Sequence, residues 1–254
     1  MTAKAKGLLW VAIAIAVAGA VAIGLPTMAK HVPWPVERLM GNIFGGSAVS
    51  NACRGRSHPE APALFGKLVR RLYPLVPGDS ELPITIDVVP GKTVNAYATL
   101  GGHIYVFDGL LKKAQSPDEL AGVLAHEIEH VRNRHVIQGV AVNVFTLSAL
   151  KVVLPGDHPT ESYIAYLLLT LKFSRQQEYE ADLAGLERLR AARVDAAGFQ
   201  QFFERAAKMS APPAIISNHP SNEQRKELAA RFKGYPVEPL LDSKEWEAVK
   251  IICD

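Results

Sequence analysis

The sequence predicts a mainly helical α+β domain preceded by an N-terminal transmembrane helix. Three observations lead to this prediction. Apolar residues recur at helical spacing through much of the chain, alternate as in strands between 84 and 107, and form an uncharged run at 7–25. The 28 basic and 25 acidic residues give a formal net charge of +3. A balance this even does not indicate a nucleic-acid partner.

The first segment, residues 1–25, is predicted to be a membrane anchor. Residues 7–25 carry no charge, and this length is just enough to span a bilayer. Lys4 and Lys6 precede the run, which places the N-terminus inside the cytoplasm and the rest of the chain outside it. A cleaved signal peptide is the alternative, and the length of the apolar run favours the anchor. Both interpretations export the remaining chain to the envelope side of the membrane.

Residues 26–59 are predicted to be a linker, because prolines and glycines recur there without sustained periodicity. The chain has two cysteines, Cys53 and Cys253, and no Cys-x-x-Cys motif, which excludes a cysteine-rich zinc site. Spacing alone leaves two alternatives equally open: a disulfide between these cysteines and two unpaired thiols. The globular domain is assigned to residues 60–254.

The domain is expected to begin with a helix over 60–76, in which leucines recur every four residues. The period then changes. Residues 84–89, 94–99 and 103–107 are predicted to form three short strands, separated by turns that contain glycine. Such a sheet either packs in the core or binds an extended peptide as an added strand.

A strong helix signal follows the strands. Ser116 can cap the first turn, Pro117 suits the first helical position, and Glu119 completes a capping box. Apolar side chains then fall on one face of the helix, at Leu120, Leu124, Ile128 and Val131.

His126 and His130 lie one turn apart on the opposite face of this helix, and Glu127 lies about a quarter-turn from them. This is the pattern His-Glu-x-x-His, in which two imidazoles share a zinc ion and the glutamate reaches a water molecule. The alternative is a surface helix with two spare histidines. It is disfavoured because the flanking residues are apolar, and buried histidines and glutamates need partners.

A third zinc ligand is expected from a long helix predicted over 160–192. Glu178 and Asp182 lie one turn apart there, so that Glu178 can bind zinc while Asp182 holds a ring N–H of a zinc-bound histidine. On helix geometry alone, a solvated acidic face is as good an interpretation. Two further histidines, His103 and His135, are predicted to be structural, and His135 is expected to point away from the pair.

Several helices complete the predicted domain. Residues 136–154 and 163–171 are apolar and are expected to form a hairpin, which either packs in the core or touches the membrane or substrate. A helix capped by Asp195 should run to residue 208, and a loop over 210–218 should lead to His219. Two helices are then expected to follow, from Ser221 with its capping box to Arg231 and from Ser243 onward.

Four motifs in order resemble the HtpX/CAAX-prenyl-protease family of membrane-associated zinc peptidases, and in particular its single-anchor OMA/BepA-like branch. The resemblance extends over about residues 60–231. The matching elements are His126-Glu127-x-x-His130, Ser174-Arg175-x-x-Glu178-x-x-Ala181-Asp182, Asn95-Ala96-Tyr97-Ala98 with Gly101-Gly102 and Gly109-Leu110-Leu111, and His219-Pro220-Ser221 with Arg225. Ser221 departs from the family, which often has proline at that position.

The resemblance implies a zincin-like metallopeptidase domain with one zinc ion. His126, His130 and Glu178 would bind the zinc, Glu127 would act as the base, and His219 would steady the tetrahedral intermediate. Beyond the metal, the family pattern assigns the substrate backbone to an edge strand formed by three residues: Asn95, Ala96 and Tyr97.

The function expected from the resemblance is hydrolysis of peptide bonds in misfolded or membrane-associated proteins, in quality control of the cell envelope. A different class remains open, namely a zinc-containing chaperone or scaffold that binds peptides and rarely cleaves them. The intact Glu127 favours the peptidase.

Overall fold

The structure is a computed structural model. It describes residues 19–21, 24–153, 171–209, 213–219 and 223–254. Most of the predicted anchor at 7–25 and nearly all of the second arm of the predicted hairpin, 163–171, lie outside these residues. In the part of the chain that is described, no helix has the length and apolar character needed to cross a membrane.

The described residues form a mainly helical domain with one small sheet, as predicted. In chain order the elements are α1 (Trp34–Ser50), α2 (Ala61–Leu72), β1 (Thr85–Val89), β2 (Ala96–Ala98), β3 (His103–Phe107), α3 (Asp108–Lys113), α4 (Pro117–Arg132), α5 (His135–Val153), α6 (Arg175–Ala191), α7 (Ala197–Ala207), α8 (Ala214–Asn218), α9 (Glu223–Ala230) and α10 (Ser243–Lys250).

The three strands pair in the order β1-β3-β2. β1 runs parallel to β3, with Thr85 opposite His103, and β2 runs antiparallel to β3, with Ala98 opposite Ile104. The predicted strands are therefore confirmed, although β2 is shorter than the predicted 94–99. β2 is an edge strand of this sheet, and its other side faces α4.

Helix α4 lies at the centre of the core and packs against α6, α7 and β2. The predicted cap is present, since the Ser116 hydroxyl accepts a hydrogen bond from the Glu119 N–H at 3.2 Å. The predicted apolar face is buried, with Leu120, Leu124 and Ile128 fully inaccessible to solvent. Burial on this scale explains why a helix carrying two histidines and three glutamates is stable in the interior.

Residues 34–50, within the predicted linker, form the helix α1. This helix packs against the turn at Leu100–Gly102, and the Glu37 carboxylate accepts a hydrogen bond from the Gly101 N–H at 3.2 Å. Gly41 allows the close approach, because a Cβ there would lie 2.3 Å from the Leu100 carbonyl oxygen. The face that α1 buries here carries a glutamate and a glycine, whereas its apolar residues Val36, Leu39 and Ile43 are exposed.

The helix predicted over 160–192 begins later, at Arg175. Ser174 caps it through a capping box, in which the Ser174 hydroxyl accepts from the Gln177 N–H and the Gln177 side chain accepts from the Ser174 N–H. Residues 171–174 are not helical, so the predicted continuity is wrong there, and the predicted cap at Thr160 lies outside the described residues.

The remaining helices largely follow the predictions. α2 ends at Leu72, two residues before Pro74, rather than at 76, because proline and the residue before it disfavour helix. The sequence predicts Asp195 as the cap of α7. The N-cap position is instead Ala196, and Asp195, one residue earlier, accepts a hydrogen bond from the Ala197 N–H. The predicted loop ahead of His219 instead contains the one-turn helix α8.

Cys53 and Cys253 form a disulfide, with their Cα atoms 4.8 Å apart. Of the two alternatives that the sequence leaves open, the structure therefore has the disulfide. It joins the segment before α2 to the C-terminus, and the Gly55 N–H donates to the Ile252 carbonyl beside it.

Candidate active site

Four of the predicted site residues meet in one buried group. His126 and His130 come from α4, Glu178 from α6, and His219 from the residue after α8. Each offers a ligand atom, and these atoms all lie within 4.8 Å of one another. α6 can approach α4 closely because Gly185 faces the backbone of His126, where a Cβ would lie 3.3 Å from the nitrogen.

The spacing of the ligand atoms fits a zinc ion. The Nε2 atoms of His126 and His130 are 2.9 Å apart, and the Glu178 carboxylate oxygens lie 3.7 and 3.5 Å from them. Zinc–nitrogen bonds of 2.0–2.1 Å in a tetrahedron place the ligand atoms about 3.3 Å from one another. A donor set of imidazole and carboxylate also suits zinc better than magnesium or calcium.

His219 lies inside this group. Its Nδ1 atom is 3.0 Å from His126 Nε2 and 3.0 Å from Glu178 Oε1, which is the place of a fourth ligand. The sequence suggested three ligands and one open position, with His219 acting on the reaction intermediate. The structure brings four candidate ligands together, because the turn after α8 directs the imidazole inward.

Glu127 lies beside the group and is fully buried. Its Oε2 accepts a hydrogen bond from the Ala98 N–H at 2.9 Å. Its Oε1 has no hydrogen-bond partner among the described residues and lies 3.4 Å from His219 Nε2. Burial raises the pKa of Glu127. A carboxylate held on one oxygen and unpaired on the other is suited to accept a proton.

Asp182 supports His126, as the helix spacing suggested. Its Oδ1 lies 2.9 Å from His126 Nδ1, while its Oδ2 accepts from Arg225 Nε at 2.6 Å. Burial alone would raise the pKa of Asp182, but the His126 and Arg225 contacts lower it. The ionised carboxylate beside Nδ1 therefore favours the tautomer of His126 that carries its proton on Nδ1, which leaves Nε2 free for a metal. The supporting role of Arg225 is not evident from the sequence, which places it only in a motif.

The expectation that His135 points away from the histidine pair is wrong. Its Nδ1 lies 3.1 Å from His130 Nδ1, and its Nε2 lies 3.3 Å from Glu180 Oε2. α4 ends before His135, because Arg134 adopts a left-handed conformation with φ 63°. Burial lowers the pKa values of His130 and His135, which favours the neutral form of both rings. His103 lies apart from the group, on β3, where its ring contacts the Thr85 hydroxyl.

The predicted substrate strand lies at the edge of the sheet. Asn95 accepts a hydrogen bond from Phe107, and Thr99 donates one to His103, so the alternate residues pair with β3. By this alternation the peptide groups of Ala96 and Ala98 face away from β3.

Of the three residues assigned to substrate, Ala96 is thus the one whose backbone is directed outward. Tyr97 packs its ring against Tyr105 and Phe107, with centroids 5.5 and 5.9 Å away. Asn95 is buried and pairs with β3. The outward peptide groups of this edge lie on the side of Glu127, to which the Ala98 N–H donates.

A buried ionic network joins the two helices that carry the ligands. Arg188 on α6 donates to Glu129 on α4 at 2.8 Å and to Asp79 at 2.7 and 3.1 Å. All three side chains are almost fully buried. The sequence alone did not indicate this network, because the three charges are separated by 50 residues or more.

The helix α4 is buried and carries His-Glu-x-x-His, the Glu178 carboxylate comes from a second helix, and the Glu127 carboxylate lies beside the group. This arrangement is that of a metallopeptidase. The particular family follows from comparison with known proteins. The sequence profile of Peptidase family M48 matches residues 75–231, which is more than half of the chain, and the chain belongs to this family.

Individual relatives agree with the OMA/BepA-like resemblance. The chain is 32% identical over 185 residues to the putative beta-barrel assembly-enhancing protease of Vibrio cholerae, covering 65% of this chain and 38% of that protein. It is 33% identical over 177 residues to the mitochondrial metalloendopeptidase OMA1 of Schizosaccharomyces pombe, covering 66% of this chain and 51% of that protein. The chain thus matches less than two thirds of the length of these curated relatives.

Proposed function

We propose that the chain is a zinc-dependent endopeptidase. The observation that carries the proposal is the arrangement around α4, where His126, His130 and Glu178 fit a zinc ion and Glu127 lies beside them without being part of the ligand set. A zinc ion bound there would acidify a water molecule and polarise the carbonyl group of the peptide bond.

Glu127 is proposed as the general base. Its unpaired Oε1 accepts the proton of the attacking water and then delivers it to the leaving amine. The Ala98 N–H holds the other oxygen, so that the carboxylate keeps one orientation throughout. Because Ala98 belongs to β2, this hydrogen bond fixes Glu127 relative to the strand along which substrate is proposed to bind.

His219 is proposed to donate a hydrogen bond to the developing oxyanion. Burial alone would lower the pKa of His219, but the neighbouring Glu127 and Glu178 carboxylates raise it. The ring N–H on Nε2 is the group proposed to donate. Since Nδ1 lies within the ligand group, binding of substrate requires the residue to shift outward from that position.

Substrate is proposed to bind in an extended conformation along β2. The outward peptide groups of Ala96 offer the hydrogen bonds that an added strand uses, and Asn95 and Tyr97 keep the strand paired to β3. This mode recognises the peptide backbone, so it suits protein substrates of varied sequence.

The proposed substrates are misfolded or membrane-associated proteins of the cell envelope. One relative is named for β-barrel assembly and another is a mitochondrial endopeptidase, and the disulfide of this chain suits an oxidising compartment. With residues 7–25 as anchor, the domain would lie outside the cytoplasm. Alkaline phosphatase fused after residue 60 should then be active, and an active cytoplasmic reporter at the same point would refute the orientation.

A second candidate function is a zinc-containing scaffold that binds peptides with little cleavage. The position of His219 favours it, because four protein ligands leave no open corner for a water molecule. The full chain should be incubated with unfolded casein, with and without a chelator, beside the Glu127→Gln variant. Cleavage that both the chelator and the substitution abolish supports the peptidase, whereas casein that is bound but left intact by the zinc-loaded wild type supports the scaffold.

A further inference from the structure

The two histidines of the motif are supported in different ways. His126 contacts a charged carboxylate directly, since Asp182 lies 2.9 Å from its Nδ1. Among the residues that the structure describes, the neighbour of His130 Nδ1 is the ring of His135 and not a carboxylate. Phe173 stacks on the His130 ring with centroids 3.9 Å apart, which leaves the His135 contact to determine where the Nδ1 proton points.

The turn between α4 and α5 is built to bring His135 to this place. In an uninterrupted helix, a residue five positions after His130 would lie about 140° around the axis from it. Instead, Arg134 adopts the left-handed conformation that is disfavoured for a residue with a Cβ. Its guanidinium is held by the Glu37 carboxylate at 2.9 Å and by the Trp34 ring at 3.8 Å, both from α1. α1 thus stabilises the turn that presents His135 to His130.

The hydrogen-bond directions follow from proton counting. If His130 binds a metal through Nε2, its proton is on Nδ1 and is donated to His135 Nδ1. His135 must then carry its own proton on Nε2, which faces Glu180 Oε2 at 3.3 Å. Gln176 donates to the other Glu180 oxygen at 2.7 Å and holds the carboxylate in place. Every donor in this chain of contacts therefore meets an acceptor.

We propose that His135 and Glu180 are positioning residues, which fix the tautomer and ring orientation of His130 and so set how tightly the centre holds zinc. The inference rests on the metal site of the proposed function and adds two residues to it. α6 thereby acts on both histidines of α4, through Asp182 on His126 and through Glu180 and His135 on His130.

Zinc affinity of the full chain tests this inference, measured by competition with a chromophoric chelator. His135→Leu removes the acceptor and should weaken zinc binding about 10- to 100-fold. His135→Asn places an amide oxygen near the position of Nδ1 and should restore most of the affinity. Glu180→Gln should cause a smaller loss than His135→Leu, and Glu187→Gln, at an exposed position on the same helix, should cause none.

A spectroscopic readout separates positioning from packing. In the cobalt-substituted protein, the ring N–H of His130 should give a shifted proton resonance that exchanges slowly with water. This resonance should broaden or vanish in His135→Leu and persist in His135→Asn. A role in packing alone would not distinguish the two variants in this way.

The outcomes are distinguishable from failure of the proposed function. A wild-type chain that does not bind one zinc ion would refute the metal centre itself. Stoichiometric zinc in the wild type with unchanged affinity in His135→Leu, or an equal loss in His135→Leu and His135→Asn, would overturn this inference alone. If His135→Leu does not fold, Glu180→Gln decides the matter, since affinity equal to that of Glu187→Gln would overturn it.

Discussion

Replacing Glu127 with glutamine should remove most of the proteolytic activity and leave both zinc and fold in place. The glutamine side chain has the same size, and its amide oxygen can accept the hydrogen bond that the Ala98 N–H donates at 2.9 Å. Its NH₂ group would occupy the site of Oε1, the oxygen that is proposed to take the proton of water. The variant therefore keeps the contact with β2 and loses the proton acceptor.

The size of the effect follows from the role of the residue. General base catalysis contributes about 10²- to 10⁴-fold, which corresponds to about 2.7–5.4 kcal/mol of transition-state stabilisation. Stability should not fall in parallel. Burial already raises the pKa of Glu127, which shows that its charged form is disfavoured in the interior, and a neutral amide avoids that cost.

Cleavage of casein, zinc content and thermal unfolding should be measured on the same preparation of this variant. The expected result is one zinc ion per chain, an unchanged midpoint of unfolding and cleavage reduced by at least about 100-fold. Substrate should still bind along β2, so the variant should retain casein. Full activity would refute the assignment of the base. Loss of zinc together with activity would show that Glu127 contributes to the metal site, contrary to its position beside the group.

Three further substitutions test other parts of the structure. Glu178→Ala should lower zinc content measured by metal analysis, whereas Glu187→Ala on the same helix should not, and equal zinc in both would remove Glu178 from the site. Arg188→Ala removes the hydrogen-bonded cation between two buried carboxylates, near which only Arg132 then remains among the described cations, at 3.8 and 3.9 Å, and should lower the free energy of unfolding by about 3–5 kcal/mol in a denaturant titration. Cys53→Ser should lower it by about 2–4 kcal/mol, and an unchanged midpoint would contradict a structural disulfide.

The sequence predicts best what depends on neighbours within one or two turns. The Ser116 cap and the spacing of His126 and His130 are local, and α4 begins as predicted, although the Glu119 carboxylate accepts from the Gln115 N–H and does not complete the predicted capping box. Strand alternation is likewise local, and β3 has the predicted bounds. The approach of Glu178 to the histidine pair depends on how α6 crosses α4. Helix geometry therefore left two interpretations of Glu178 open, a zinc ligand and a residue on a solvated acidic face, and only the family resemblance favoured the ligand.

Features that depend on distant contacts escape prediction from the sequence. α1 buries Glu37 and Gly41 against a turn about 60 residues later, a contact that the apolar residues of the helix do not indicate because they lie on its exposed face. The left-handed turn at Arg134 could not be predicted for the same reason, because the residues that stabilise it lie on α1. The counting rule that directed His135 away from the pair assumes a continuous helix, and one left-handed residue is enough to invalidate it.

The two supports of the α4–α6 pair should have different experimental signatures. Arg188 joins the helices through Glu129, a residue inside the His-Glu-x-x-His motif that the motif itself leaves unspecified. Loss of Arg188 removes a partner of two buried carboxylates but touches no candidate metal ligand. The free energy of unfolding should therefore fall, and zinc affinity should fall only where the two helices move apart. His135 contributes one neutral hydrogen bond at the rim of the ligand group, so its loss should weaken zinc binding with little change in the stability of the metal-free chain. Measuring both quantities in both variants would therefore distinguish residues that hold the helices together from residues that orient the metal ligands.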